Sequence, residues 1–195
     1  MTICHPLDFV PATTRKPLFI VLLIWALVLM VVMQVLGWPL QTGAAPAGIV
    51  SFELAGSPDR AMQILASWDP QYNPTLGYSV VEFYTAPLYA AFGLGFDYLF
   101  MPSYAAAIAL GVLLAAGRHK GWFASLGAIL GWGALAAALF DAVENIALWR
   151  ELLGAILSPW PMVAATCARV KFALILLGIA YALAGWILPK RRSPK

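Results

Sequence analysis

Apolar residues fall in four long blocks along this chain, and each block meets basic residues at one end. The first, 18–36, has Gln34 as its one polar side chain; Arg15, Lys16 and Pro17 precede it, and Gly37, Trp38 and Pro39 close it. The second, 90–116, leads into Arg118, His119 and Lys120, and the third, 122–148, starts directly after them. The fourth, 162–188, runs into Pro189 and the basic group Lys190, Arg191 and Arg192. About 20 apolar residues in a helix rising ~1.5 Å per residue cross a hydrocarbon core of ~30 Å. The predicted fold is therefore all-α and integral to a membrane: a four-transmembrane-helix bundle forming a single membrane domain over 1–195. The helix of the second block, extended back to Pro87, is overlong for that core, and Pro102 is a place for a kink. In the third block Gly127 and Gly131 make a small-xxx-small face, suited to close helix packing within the chain or to homo-oligomerisation.

Between the first two blocks lies an outer loop, 38–79, and its pattern changes to helical periodicity. Ser57 is placed to cap a helix with Pro58 at its first position, and Ala61, Met62, Ile64, Leu65 and Trp68 form an apolar stripe ending at Asp69 and Pro70. An amphipathic helix is predicted there, lying in the headgroup region or covering the end of the bundle. Ile49, Val50, Phe52 and Leu54 form a second apolar element before it, with Glu53 embedded among them. Gly43, Ala44, Ala45, Pro46 and Ala47 resemble a signal-peptide cleavage site. The preceding apolar run exceeds the usual ~7–15 residues of a signal peptide, so it is read as a retained span.

Composition agrees: 62% of the 195 residues are hydrophobic and 11% charged, against about 25% charged in soluble domains. The net charge of +3 does not point to nucleic acid, because Lys and Arg mostly flank the spans. Arg15, Lys16, Arg118, Lys120, Lys190, Arg191, Arg192 and Lys195 share one side, and Arg60 and Arg150 stand on the other. The positive-inside rule then places both termini in the cytoplasm, in a bacterial inner membrane. Eight of the nine acidic residues, all but Asp8, fall on the outer side. Trp38, Trp68, Trp122, Trp149, Trp160 and Trp186 lie at span ends or in the loop, as an interfacial belt would.

Counting from the basic end of each span reveals a polar layer. Asp97 stands 21 residues from Arg118, Asp141 21 from Lys120, Arg169 21 and Lys171 19 from Lys190, and Gln34 18 from Lys16. At ~1.5 Å per residue these reach one level, ~27–32 Å from the basic edge. Asp141, Glu144 and Asn145 are spaced i, i+3 and i+4 and share a helix face, as do Cys167 and Lys171. Arg169 points nearly opposite Lys171, so one cation is expected inside and the other outward or against a neighbouring element. Lys171 is expected to pair with Asp141 or Glu144. With three acids and two bases the layer carries net negative charge, which suits a neutral or weakly cationic guest. Tyr98, with Tyr84, Tyr89 and Tyr104, accumulates around Asp97 and suggests an aromatic wall for a cation or an amphipathic ring system. The candidate ligand-binding residues are Asp97, Asp141, Glu144, Asn145, Lys171, Arg169, Glu53, Gln34 and Tyr98.

Several chemistries lack their residues. Cys4 and Cys167 are at opposite ends of the spans, so a paired-thiol oxidoreductase is not expected. His5 and His119 both lie outside the spans, which leaves no bis-histidine haem site. No metal-ligand set, Ser/His/Asp arrangement or Gly-rich phosphate loop occurs, and no cofactor is expected.

Phe140, Asp141, Ala142, Val143, Glu144 and Asn145, together with Gly95 to Phe100 and the pair Lys171 and Phe172, resemble a group of bacterial four-span membrane proteins that carries no assigned activity. The resemblance covers most of the chain after about Phe52 and implies the four-span topology and the choice of polar residues. The layout is also similar, at the level of fold alone, to the four-span sterol isomerase and sigma-2 receptor class. Two functional expectations follow. One is a non-catalytic protein binding a lipid-like or weakly cationic small molecule, or a partner, at the polar layer. The other is an intramembrane isomerase or other enzyme using Asp or Glu acid–base chemistry, with Lys171 tuning a carboxylate.

Overall fold

The computed structural model describes residues 4–69, 85–157 and 159–189. The basic group Lys190, Arg191, Arg192 and Lys195, the end of the 38–79 loop from Pro70 onward, and Tyr84 lie outside the described residues. The elements are α1 (Ala12–Gly37), a 3-10 turn (Trp38–Leu40), α2 (Ile49–Glu53), α3 (Pro58–Trp68), α4 (Thr85–Ala116), α5 (Trp122–Leu152) and α6 (Trp160–Ile187). No strand occurs among the described residues, and α1, α4, α5 and α6 are each long and apolar enough to cross a membrane. The chain is an all-α, four-helix integral membrane protein.

The helices outrun the apolar blocks. α1 begins at Ala12 and includes Pro17, because the helical hydrogen-bond ladder continues through polar flanks that the apolar run does not count. α4 runs through Pro102 in one piece. α5 ends in a Schellman arrangement: the Gly154 amide donates to the Glu151 carbonyl (3.0 Å) and the Ala155 amide to the Arg150 carbonyl (2.8 Å). Gly154 takes φ 94° there, a conformation that favours glycine. The most apolar window of α4 is 61% buried against 11% for α1, so α4 is an interior helix and α1 presents most of its surface to lipid.

Contacts group the chain into two compact units, and each of the four long helices contributes to both. A terminal unit comprises Met1–Val28, Met101–Leu139 and Lys171–Lys195, and a loop unit comprises Leu29–Phe100 and Phe140–Val170.

In the terminal unit, glycine sets the helix spacing. A Cβ on Gly178 would stand 2.6 Å from Ile108 Cγ2, one on Gly185 2.7 Å from Ala115 Cβ, and one on Gly127 2.7 Å from Ala116 Cβ. Such backbone approach is how helices pack in lipid, where apolar burial alone favours no partner. The Phe123 and Tyr181 rings stack at 4.4 Å, and the Tyr181 hydroxyl donates to the Phe123 carbonyl (2.7 Å). Gly127 and Gly131, read from the sequence as a face for packing within the chain or for a second copy, are both occupied within the unit, by Tyr181 with Ala116 and by His5 respectively. His5, expected outside the helices on the basic side, is 6% exposed and seated on α5.

The loop unit is built around an apolar cluster in which Leu40, Ala45, Phe52, Ala61, Ile64, Leu65 and Trp68 join Ala90 and Leu94 of α4, Ala147, Leu148 and Leu152 of α5 and Ala164 of α6. α3 forms as its sequence predicts: Ser57 Oγ accepts from the Arg60 amide (3.3 Å) and Pro58 takes the first helical turn. Its apolar face lies on this cluster rather than in a headgroup layer. Trp68 belongs to the core and not to an interfacial belt; it is 6% exposed, its Nε1 donates to the Leu40 carbonyl (2.8 Å), and Phe52 meets it edge-on at 5.3 Å. Ile49–Glu53, the second apolar element of the loop, is the short helix α2.

Two expected outcomes test this packing. Gly127→Ala, whose methyl would press on Ala116, lowers stability by about 1–3 kcal/mol through overpacking, read as a drop in thermal midpoint in detergent. Trp68→Ala removes ring, hydrogen bond and edge contact together and costs about 3–5 kcal/mol, which limited proteolysis reads as cleavage near α3 while the spans stay protected.

Candidate functional site

One face of α5 carries the polar chemistry of the loop unit. Asp141, Glu144, Asn145, Leu148, Glu151 and Leu152 follow the helical repeat and are all buried. Asp141 is 2% exposed, Asn145 1%, and Glu144 and Glu151 are fully enclosed. From Asp141 to Glu151 this polar stripe extends ~15 Å along the helix axis.

Asn145 ties the stripe to α4. Its Nδ2 donates to Asp97 Oδ2 (3.0 Å) and to the Leu94 carbonyl (3.2 Å), within the buried interior. A primary amide has two hydrogens to give, and both are used on one neighbouring helix. Counting along the spans predicts Asp97 level with Asp141; the structure joins it to Asn145, one helical turn further along.

The other expected site residues divide by exposure. Glu53 is buried at the end of α2, beside Phe52. Lys171 is 5% exposed, its ammonium 5.0 Å from the Phe172 ring centre. Arg169 is exposed, and a Cβ on Gly56, in the turn between α2 and α3, would lie 3.6 Å from its Nη2. One cation inward and one outward is the split that the helical angle between them predicts, and the outward one meets the loop segment.

Gln34 and Tyr98 depart from expectation. Gln34 is exposed on α1 and takes no part in a buried layer. Its depth along the helix matches the other polar residues, but depth says nothing of direction. Tyr98 is 44% and Tyr89 37% exposed, while Tyr104 belongs to the terminal unit and is buried there. Tyr98 and Tyr89 thus face largely outward and do not enclose Asp97; Tyr98 follows Asp97 directly and is turned away from it by ~100° of helix. Glu151 was missed as a site residue. Its signal was present, since it continues the repeat through Asp141, Glu144, Asn145 and Leu148.

Among the described residues of the loop unit, buried charge has one sign. Glu53, Asp69, Asp97, Asp141, Glu144 and Glu151 are buried, whereas Arg150 and Arg169 are exposed and Arg60 half-buried. The arginines are engaged at the surface: Arg150 lies over the Trp160 ring (5.4 Å), and Arg60 donates to the Ala44 carbonyl (2.6 Å). Among the described residues no group of three or more His, Cys, Asp or Glu is arranged to hold a metal ion. No protein-family model, curated protein or solved structure matches the chain.

The Asn145 link is open to a direct measurement. Asn145→Ala leaves the buried Asp97 carboxylate without this amide and costs about 1–3 kcal/mol. In a double-mutant cycle with Asp97→Ala, thermal unfolding in detergent is expected to give a coupling of about 0.5–3 kcal/mol.

Proposed function

We propose that this is a non-catalytic membrane protein whose loop unit receives a weakly cationic or lipid-like amphipathic molecule against the buried acidic face of α5. The observation carrying this reading is the burial of six carboxyl groups in the loop unit, whose arginines lie at its surface, against one buried cation, Lys171, which follows directly on the unit's last residue. Enclosed carboxylates are costly in an apolar medium, and they hold protons or face compensating charge or donors. A guest with a cationic or hydrogen-bond-donating head and an apolar body matches both the stripe and the apolar cluster beside it. The second reading is an intramembrane acid–base enzyme using Asp141 or Glu144, favoured by the complete enclosure of Glu144 away from bulk water.

We place both termini in the cytoplasm of a bacterial cell, with the 38–69 segment outside the inner membrane. Arg15, Lys16, Arg118 and Lys120 against Arg60 and Arg150 support this orientation.

The binding reading is tested by native mass spectrometry on gently extracted protein. Asp141→Ala and Glu144→Ala are expected to lose a co-purifying small molecule or lipid while still inserting at wild-type levels. Unchanged retention in both, or failure of both to accumulate, sinks the binding reading, the second outcome because the carboxyls would then be purely architectural. Turnover of a retained molecule by wild type and not by Glu144→Ala would favour the enzyme.

Orientation has its own test, since the Cys4 thiol is exposed and Cys167 is buried. A membrane-impermeant maleimide is expected to label Cys4 only after cells are permeabilised. Labelling in intact cells would reverse the topology.

A further inference from the structure

Residues 4–10 form a compact fold of their own against the terminal unit. The His5 amide donates to Asp8 Oδ2 (3.0 Å), the Asp8 amide to the His5 carbonyl (3.1 Å), and the Leu7 amide to His5 Nδ1 (3.1 Å). Arg15 closes the turn: its Nε donates to the Val10 carbonyl (2.8 Å), its Nη2 to the Asp8 carbonyl (2.9 Å), and Nη2 lies 3.7 Å from Asp8 Oδ1. One bond fixes the segment to α5, from Trp132 Nε1 to the Cys4 carbonyl (3.0 Å).

The His5 ring is the anchor. It is pressed onto Gly131, where the position of an added Cβ falls on the ring itself. The ring is 6% exposed, and Nε2 is enclosed without a hydrogen bond. The Ala109 carbonyl faces the ring and favours its charged form weakly, without reaching hydrogen-bond geometry. Beside the anchor an open cleft of about 380 Å³ is lined by His5, Asp8, Arg15 and His119 over a floor that includes Leu113 and Ala128.

We infer that residues 4–10 are a proton-released latch, in which protonation of His5 withdraws the segment from Gly131 and opens the cleft along α5. Leu7 donates into Nδ1, so that nitrogen must keep its lone pair and the ring must be neutral, with its hydrogen on Nε2. A second proton can go only to Nδ1. There it would set two N–H groups against each other and leave a cation enclosed between α4 and α5. Neither stretch offers a compensating charge, because 101–116 and 122–139 contain no charged side chain. The charged or titratable groups on the cleft besides His5 are Asp8, which favours the imidazolium, Arg15, which opposes it, and His119, whose Nε2 is 2.9 Å from the Gly185 carbonyl.

The seated ring has its pKa lowered from 6.5, with burial as the largest cause, then Asp8 opposing and Arg15 reinforcing. The released segment thus binds a proton that the seated one does not. Seating is at full strength above about pH 6.5 and weakens as pH falls below it, by at most about tenfold per pH unit for one proton.

Amide hydrogen exchange on the full chain in nanodiscs reads this directly. Exchange of the 4–10 amides, corrected for the intrinsic rate, is compared at about pH 8 and about pH 5.5, either side of the histidine range. Wild type is expected to open more at the lower pH, by up to roughly tenfold, while α4 and α5 stay protected. His5→Gln keeps an acceptor for Leu7 and has no titrating ring, so its opening should be the same at both values. Equal protection of wild type at both pH values overturns the latch, and that comparison stands even if the variant does not fold. A pH response that survives His5→Gln, or is abolished only by Asp8→Asn, overturns the assignment to His5.

Discussion

Hydrocarbon supplies no hydrogen bonds, so a polar group on a spanning helix is satisfied inside the protein or lies at its edge. The inward face of α5 is organised around this constraint. Gly127, Ala128, Gly131, Ala134 and Ala137 occupy that face in the terminal unit, and Asp141, Glu144, Asn145, Leu148, Glu151 and Leu152 continue it in the loop unit. All of these positions are buried. One stripe of a single helix therefore does two jobs in succession, admitting neighbours to backbone distance through small residues and then presenting acids and an amide to the interior.

Whatever polarity and periodicity determine jointly was legible in the sequence. The four spans, the Ser57 cap, the apolar face of α3, the shared face of Asp141, Glu144 and Asn145 and the opposite directions of Lys171 and Arg169 all follow from helical geometry acting on unambiguous residues. Helix ends were less legible: lipid thickness limits the apolar run, whereas the backbone ladder of α1 continues into Thr13, Thr14 and Arg15. Gln34 and Tyr98 were misread for one reason. Depth along a helix is a single coordinate, and the face a residue occupies is set by neighbours that the local sequence does not name. Trp68 was misread because tryptophan at a helix end suits an interface and a core equally; the Leu40 carbonyl, 28 residues earlier, decides between them.

His5 illustrates a different limit. Nothing in the composition of residues 4–10 says that they fold back onto a helix more than a hundred residues away in sequence. The seat is visible only as Gly131, and its pairing with Gly127 suggests a helix–helix face instead. A glycine on a membrane helix admits any close neighbour, and here two successive glycines of one motif receive a tyrosine hydroxyl and an imidazole. Motif spacing identified the vacancy without identifying the occupant.

The same reasoning sets what the acidic stripe can be. If the carboxyls of the loop unit served only to hold helices in register, cations of that unit would be expected among them, since a buried acid is stabilised most by a buried partner of opposite charge. Instead Arg60 and Arg150 are engaged with a carbonyl and an indole at the surface, and Arg169 lies exposed beside Gly56. Asn145 serves α4 with both of its amide hydrogens and has none left for its neighbours on α5. Lys171, the first residue of the terminal unit's last segment, is buried as well, and the six buried acids of the loop unit outnumber it.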